Sequence, residues 1–269
     1  MTFTRKAARY LMGTLCSIEA EGPDRAAAGR AIERAFNRIK EIERHMSRFR
    51  PESEVSRINR SAGRAPEAVS DDAFCVIEAA LSVSRLSGGA FDITAGSSGA
   101  KPDGGAGAYL DRARKTVFLE EGLHLDLGGI GKGYAVDEAV SLLKEEGVQV
   151  AVVDAGGNMY GLDAEARGWW RVGIEPCGGH LKPVGSFPLM NRAVSTSSNS
   201  ERPGHLLDPR SGTPCDWGGS VTVFAESALW ADACSTAAYV LGPGAGAEFL
   251  QRAGASDFVF LHPGGALHG

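Results

Sequence analysis

Asp232 and Thr236 stand four residues apart in Ala231-Asp232-Ala233-Cys234-Ser235-Thr236, within an alanine-rich run that reads as helix. Residues i and i+4 share a helical face, so a carboxylate and a hydroxyl can offer two hard oxygens to one small cation. Magnesium accepts such ligands, keeps several waters and commonly shares its shell with substrate phosphates. By itself the pair is also what a capped or solvated helix carries, so its weight depends on the other stretches.

Gly128-Gly129-Ile130-Gly131-Lys132-Gly133 is placed between Leu123 to Leu127, apolar enough for a strand, and Lys132 to Lys144, which reads as helix. Backbone amides and the dipole at a helix entrance favour an anion, and Lys132 adds a full positive charge. The spacing is neither that of a Walker A loop nor G-x-G-x-x-G. Glycines there also let a helix and a strand pack closely. Asp154-Ala155-Gly156-Gly157-Asn158 follows a further strand, Val148 to Val153. The order strand, glycine loop, helix, strand predicts a βαβ unit. Both glycine loops would then share the carboxyl edge of the sheet, where ligands gather, and a nucleotide pyrophosphate would suit them. His205 precedes the turn-like Asp208-Pro209-Arg210-Ser211-Gly212. It is either a general base near neutral pH or a surface histidine beside a turn.

The elements that must position these residues alternate between α and β. Leu11 to Glu19 reads as a first strand, and Ala26 to Met46 as an amphipathic helix with Ile32, Phe36, Ile39, Ile42 and Met46 on one face. Ser47 to Asn59 reads as a loop turning at Pro51 and then a short helical piece. Asp71 to Leu86 is a second helix, closed by Gly88-Gly89. Residues 96–108 are irregular. Trp170 to Ile174, Val221 to Phe224 and Phe258 to Leu261 read as strands; Ser227 to Leu241 and Gly244 to Arg252 read as helices. The whole is a mixed α/β protein, one domain over residues 1–269, built of two intimately joined halves.

Hydrophobic residues make up 43% and charged residues 23% of the chain, the proportions of a globular protein with a core. The formal net charge of −5 leaves no basic field for nucleic acid or an anionic membrane. Cys16, Cys75, Cys177, Cys215 and Cys234 are scattered and form no C-x-x-C pair, which argues against a zinc knuckle or a disulfide framework. No segment approaches the ~18 apolar residues of a membrane span. The N-terminus carries no signal-peptide pattern, so the chain reads as cytoplasmic as it stands, or periplasmic had a signal segment been removed. Oligomeric state is not legible.

Taken in order, these pieces resemble the FAD:protein FMN transferases, the ApbE-like flavin transferases. The likeness begins at Met12-Gly13-Thr14 and runs through Met46-Ser47-Arg48-Phe49-Arg50-Pro51-Glu52-Ser53-Glu54-Val55-Ser56-Arg57-Ile58-Asn59. It continues through Gly88 to Gly96, Asp126 to Asp137, Gly156-Gly157-Asn158 and Trp170 to Pro176, and closes with His205 to Gly212 and Ala231 to Thr236. The fold implied is an ApbE-like, T-fold-related α/β architecture with a nucleotide cleft between its two halves.

The resemblance implies Mg²⁺-dependent transfer of FMN from FAD to a threonine or serine hydroxyl of a partner protein, with release of AMP. It implies a metal site of the Asp232 and Thr236 side chains and a backbone carbonyl near Gly129, with His205 as base and Lys132 on the phosphates. Met46, Ser47, Phe49, Phe91 and Asp92 would line the flavin. Gly128, Gly129, Gly156, Gly157 and Asn158 would shape the nucleotide cleft, Glu175 would lie near the adenosine part, and Thr196 and Ser197 would touch the nucleotide. Residues 97–108 and 198–204 are shorter than the matching stretches of relatives. Such shortening also suits FAD binding alone, or FAD hydrolysis to FMN and AMP with little transfer to protein.

Overall fold

A two-residue turn at Met12-Gly13 sets the first feature of the fold. The computed structural model describes residues 2–97, 107–168, 170–175, 183–200, 204, 206–262 and 267–268. Strands β1 (Phe3–Leu11) and β2 (Thr14–Gly22) form a hairpin in which Leu11 pairs with Thr14. Met12 and Gly13 both have positive φ, 54° and 72°, as a type I′ turn requires. The single strand expected over Leu11 to Glu19 is thus the turn plus the start of β2. Methionine gives no turn signal. Its strained backbone is held by the Met12 N–H donating to Glu43 Oε1 at 2.9 Å.

Helix α1 (Arg25–Met46) starts where Asp24 accepts the Ala27 N–H at 2.7 Å, a cap worth about 1 kcal/mol. It buries Ile32, Phe36, Ile39, Ile42 and Met46. Helix α2 (Glu54–Ser61), strand β3 (Glu67–Ala68) and helix α3 (Asp71–Leu86) follow, then β4 (Ala108–Asp111) and β5 (Thr116–Leu119). Helix α4 (Gly131–Glu145) leads into the hairpin of β6 (Val150–Ala155) and β7 (Asn158–Asp163). Next come β8 (Arg171–Gly173), β9 (Ser186–Pro188), β10 (Arg192–Ser198), β11 (Leu207–Asp208), β12 (Thr213–Pro214) and β13 (Ser220–Ala225). Helix α5 (Ala228–Arg252), β14 (Asp257–Leu261) and β15 (Leu267–His268) end the described chain. Within α5, Gly242 leaves helical geometry at φ 75° just before Pro243, so the run is two helices across a kink, as their sequences suggest.

Eight strands make one sheet in the order β1-β2-β6-β7-β10-β13-β14-β15, every pair antiparallel. The expected parallel βαβ unit is therefore corrected, because Leu123 to Leu127 is not a strand. Leu123, Leu125 and Leu127 do alternate inward, which is the period the sequence displays. Their backbone finds other partners. The Asn59 amide accepts the Leu125 N–H at 2.7 Å and donates to its carbonyl at 3.1 Å, while the Asp126 N–H donates to Ile93 O at 2.7 Å. A side-chain amide thus replaces a neighbouring strand, meeting the requirement that buried backbone groups be paired.

Helices α1, α4 and α5 lie side by side over one face of the sheet, α1 against β1 and β2, α4 against β6 and β7, α5 against β10 and β13. One continuous apolar core joins all three helices to that face. The opposite face carries a smaller cluster of Val194, Phe224, Val259 and Leu261, packed against residues of the β8–β9 hairpin. The small sheet β3-β5-β4 stands apart, with α2 against β5.

Candidate functional site

Register places several loops at one edge of the large sheet. Cys16 pairs with Ala155, Ala155 with Asn158, Met159 with Val194, and Ser198 with Ser220. The β1–β2 turn, the Gly156-Gly157 turn, the end of β10 and the start of β13 therefore share that edge. In an antiparallel sheet the edge holds strand beginnings as well as ends, so the carboxyl-edge rule does not apply. The glycine loops still approach the β1–β2 turn from two sides. A Cβ on Gly131 would lie 3.8 Å from Met12 Cε, and one on Gly156 would lie 2.5 Å from Thr14 Oγ1. With φ at 64° and 86°, Gly156 and Gly157 make the β6–β7 turn, which the Asp154 carboxylate closes by accepting the Gly157 N–H at 2.9 Å.

The junction of α4 and α5 brings the chemistry together. The Asp137 carboxylate on α4 accepts the Ala228 and Leu229 N–H groups at 2.7 and 2.8 Å, fixing the start of α5 against α4. Gly133 then meets α5 so closely that a Cβ would stand 2.1 Å from Ala228 O and 2.8 Å from Asp232 Cβ. That approach lets the Gly133 N–H donate to Asp232 Oδ2 at 3.0 Å. The other carboxylate oxygen is 3.9 Å from Lys132 Nζ, which also donates to Gly128 O at 2.9 Å. Asp232 is 4% exposed. Burial raises its carboxyl pKa, and the Lys132 charge and the Gly133 N–H oppose that shift.

Thr236 follows one turn later on the same face. Its hydroxyl donates to Asp232 O at 3.1 Å and lies 3.3 Å from where a Gly129 Cβ would stand. The Phe91 ring edge is 3.2 Å from that same point, so a larger residue would have to push Phe91 and Thr236 aside. Asp232, Thr236, Gly128, Gly129, Lys132 and Phe91 are thus brought together. Asp92, next to Phe91, uses Oδ1 to accept the Thr94 N–H and hydroxyl at 2.7 and 2.8 Å. Its other oxygen is buried with no hydrogen-bond partner among the described residues.

A hydroxyl chain extends the site along the sheet. Ser195 Oγ donates to Asn158 Oδ1 at 2.7 Å, and the Ser235 hydroxyl lies 3.0 Å from that of Ser195 and 2.8 Å from that of Ser197. Ser235 was not singled out in the sequence, although it lies three residues from Asp232 and so on its face. Thr196 points to the other face and pairs with Thr222 at 2.8 Å. Glu175 is exposed just after β8, on the side of the sheet away from α5. The structure does not bring these two side chains to Asp232. Met46 is buried in the core; Ser47 Oγ accepts the Phe49 N–H at 3.3 Å, and the Phe49 ring is 80% exposed. His205 lies outside the described residues, as does Cys177. Burial pushes the Cys16 thiol up to about 11 and Cys234 to about 12, so neither is a thiolate near neutral pH.

The donor set suits a hard cation. The Asp232 carboxylate and Gly128 carbonyl already share one positive group, Lys132, and the Thr236 hydroxyl stands beside Gly129. Among the described residues no three His, Cys, Asp or Glu side chains gather as a metal cluster. A cation here would therefore complete its shell with hydroxyl, main-chain, water and ligand oxygens, which is how magnesium is commonly held.

A mixed α/β fold thus places hard oxygens and a lysine together at a glycine-rich helix entrance. The chain belongs to the ApbE family, whose model matches residues 12–260. It is 31% identical to a FAD:protein FMN transferase of Klebsiella pneumoniae over 93% of this chain and 87% of the relative. A FAD:protein FMN transferase of Treponema pallidum is 29% identical over 95% and 84%. The crystal structure of the ApbE protein from Thermotoga maritima has a TM-score of 0.89 at 26% identity, covering 99% of this chain and 96% of that one. Among the described residues no helix is long and apolar enough to cross a membrane.

Proposed function

We propose that this chain transfers FMN from FAD to a threonine or serine hydroxyl of a partner protein and releases AMP. The observation that carries this reading is the convergence of Asp232, Thr236, the Gly128-Gly129 backbone and Lys132 at the entrance of α4. The names of the two relatives point the same way. In the reaction the acceptor oxygen attacks the FMN phosphorus and the bond to the bridging oxygen breaks. AMP leaves with that oxygen, and the hydroxyl proton passes to a base, the role assigned to His205.

The chain's own groups have separable parts. Lys132 and the positive end of the α4 dipole offset charge on the diphosphate. Asp232, Thr236 and a main-chain carbonyl at Gly128 or Gly129 would hold Mg²⁺, which when bound draws charge from the phosphate oxygens. Phe49 offers aromatic surface to the flavin ring with the buried Phe91 behind the glycine loop, and the second Asp92 oxygen, without a partner among the described residues, offers an acceptor to a ligand N–H or O–H. Asn158, Ser195, Ser197 and Ser235 form a hydrogen-bonded network behind the site, whereas Gly156 and Gly157 let the β6–β7 turn close against Thr14. Glu175 keeps its assignment near the adenosine part and Thr196 its assignment to the nucleotide, each from the far face of the sheet.

Incubation with FAD and Mg²⁺, with and without an acceptor protein carrying the hydroxyl, tests the proposal. AMP together with flavin-labelled acceptor is the expected result. AMP with free FMN would mean hydrolysis, and bound FAD without AMP would mean a carrier; either refutes transfer.

A further inference from the structure

We infer that the Arg48–Asp126 ion pair positions Phe49 for a planar aromatic ligand, tying the ring to the glycine loop that carries the phosphate site. This inference rests on the proposed use of FAD, because the flavin supplies the planar ring. Arg48 Cζ lies over the Phe49 ring, 4.7 Å from its centroid, and Arg48 Nε is 3.4 Å from Asp126 Oδ2. The other Asp126 oxygen accepts the Gly128 N–H at 2.9 Å. Gly128 in turn holds Lys132 through its carbonyl at 2.9 Å. A chain of contacts therefore runs from an exposed aromatic ring to the lysine at the centre of the site.

Each link has a physical purpose. A guanidinium is planar and stacks on a ring while its N–H groups remain available to a carboxylate. With one face of Phe49 taken by Arg48, the exposed remainder is left for a second aromatic system. The base of the loop is secured separately: the Arg48 carbonyl accepts the Ser56 hydroxyl at 3.3 Å, and the Ser47 hydroxyl accepts the Phe49 N–H at 3.3 Å. Losing the ion pair should therefore free the ring without unfolding the loop. Arg48 and Asp126 side chains are 51% and 45% exposed, so the pair adds little to stability. Its value lies in orienting the ring.

Binding of FAD and of ADP to wild type, Arg48→Ala, Arg48→Lys, Asp126→Asn and the double variant Arg48→Ala/Asp126→Asn tests this. ADP carries a diphosphate without a flavin ring. Asparagine keeps an acceptor for the Gly128 N–H. Arg48→Ala and Asp126→Asn should each weaken FAD about 3- to 10-fold, the range of one aromatic contact, and leave ADP unchanged. The double variant should be no worse than the poorer single one, and Arg48→Lys, which pairs but stacks poorly, should fall between. Equal loss for FAD and ADP, additive losses, or unchanged FAD affinity would overturn the positioning role. Wild type that binds ADP and not FAD would instead remove the functional reading beneath it.

Discussion

The Gly133 N–H and the Asp232 carboxylate, 99 positions apart in sequence, meet at 3.0 Å in the packed junction of α4 and α5. The bond exists only because residue 133 has no side chain. One glycine thereby sets both the spacing of two helices and the aim of the buried carboxylate.

Gly133→Ala is therefore expected to destabilise the protein strongly. A Cβ 2.1 Å from Ala228 O meets backbone that cannot rotate away, and overpacking of this kind costs about 1–3 kcal/mol or more. Gly96→Ala, where nothing among the described residues lies within 4 Å, should change stability by less than about 0.5 kcal/mol. Urea unfolding of both variants checks the contrast, and equal midpoints would contradict it.

Asp232→Asn separates fold from function. The side-chain oxygen can still accept the Gly133 N–H, and the change removes a charge that burial disfavours, so the unfolding midpoint should hold or rise. FMN transfer should fall about 100-fold or more, the scale of losing one strong electrostatic group at a transferring phosphoryl. Parallel measurement of stability and AMP release decides. A variant both active and stable would remove Asp232 from the site.

The first turn of α3 gives a pH prediction. Burial pushes the Asp72 carboxyl up, but hydrogen bonds from Arg38 at 2.6 and 2.8 Å and from Tyr134 at 2.6 Å outweigh it and leave the pKa below its ordinary 3.8. A carboxyl with a lowered folded pKa stabilises the protein above its unfolded value of 3.8, and the benefit disappears as pH falls through the lower folded one. Asp72→Asn should cost about 1–3 kcal/mol near neutral pH. That difference should shrink toward zero in acid below the folded pKa. Unfolding midpoints across the acid range test it, and a difference constant with pH would contradict it.

Asn59→Ala should uncover the Leu125 backbone, leaving an N–H and a C=O without the amide that now pairs both. An unsatisfied buried group costs about 1–3 kcal/mol. Hydrogen exchange should quicken at Leu125 and in the following glycine loop while β6 and β13 stay protected. Exchange unchanged at Leu125 would show that the segment is held by other means.

Helices were legible because their apolar stripes and caps are local: Asp24, Ser70 and Ser227 each accept an N–H at the start of the helix they precede. Sheet topology was not. The inward alternation of Leu123, Leu125 and Leu127 is real, yet periodicity records which face is buried and not what pairs with the backbone. A side chain, Asn59, took the partner strand's place. The Met12 turn was hidden for a related reason, since its positive φ is held by Glu43 from a distant helix.

At the site, Asp232 and Thr236 could be read from helical spacing, and Gly129 from its place in the loop. The closeness of Gly133 to Ala228, the burial of Asp92 and the Ser195–Ser235–Ser197 hydroxyls depend on contacts between distant segments. No local pattern encodes those.

In the proposed reaction Asp232 and Thr236 hold a cation against the bound diphosphate. Calorimetric titration of Mg²⁺ into FAD-saturated protein tests it most directly. Wild type is expected to bind one ion, and Asp232→Asn and Thr236→Val to bind it at least tenfold more weakly, a change of about 1.4 kcal/mol or more. Equal Mg²⁺ affinity in all three proteins would contradict it.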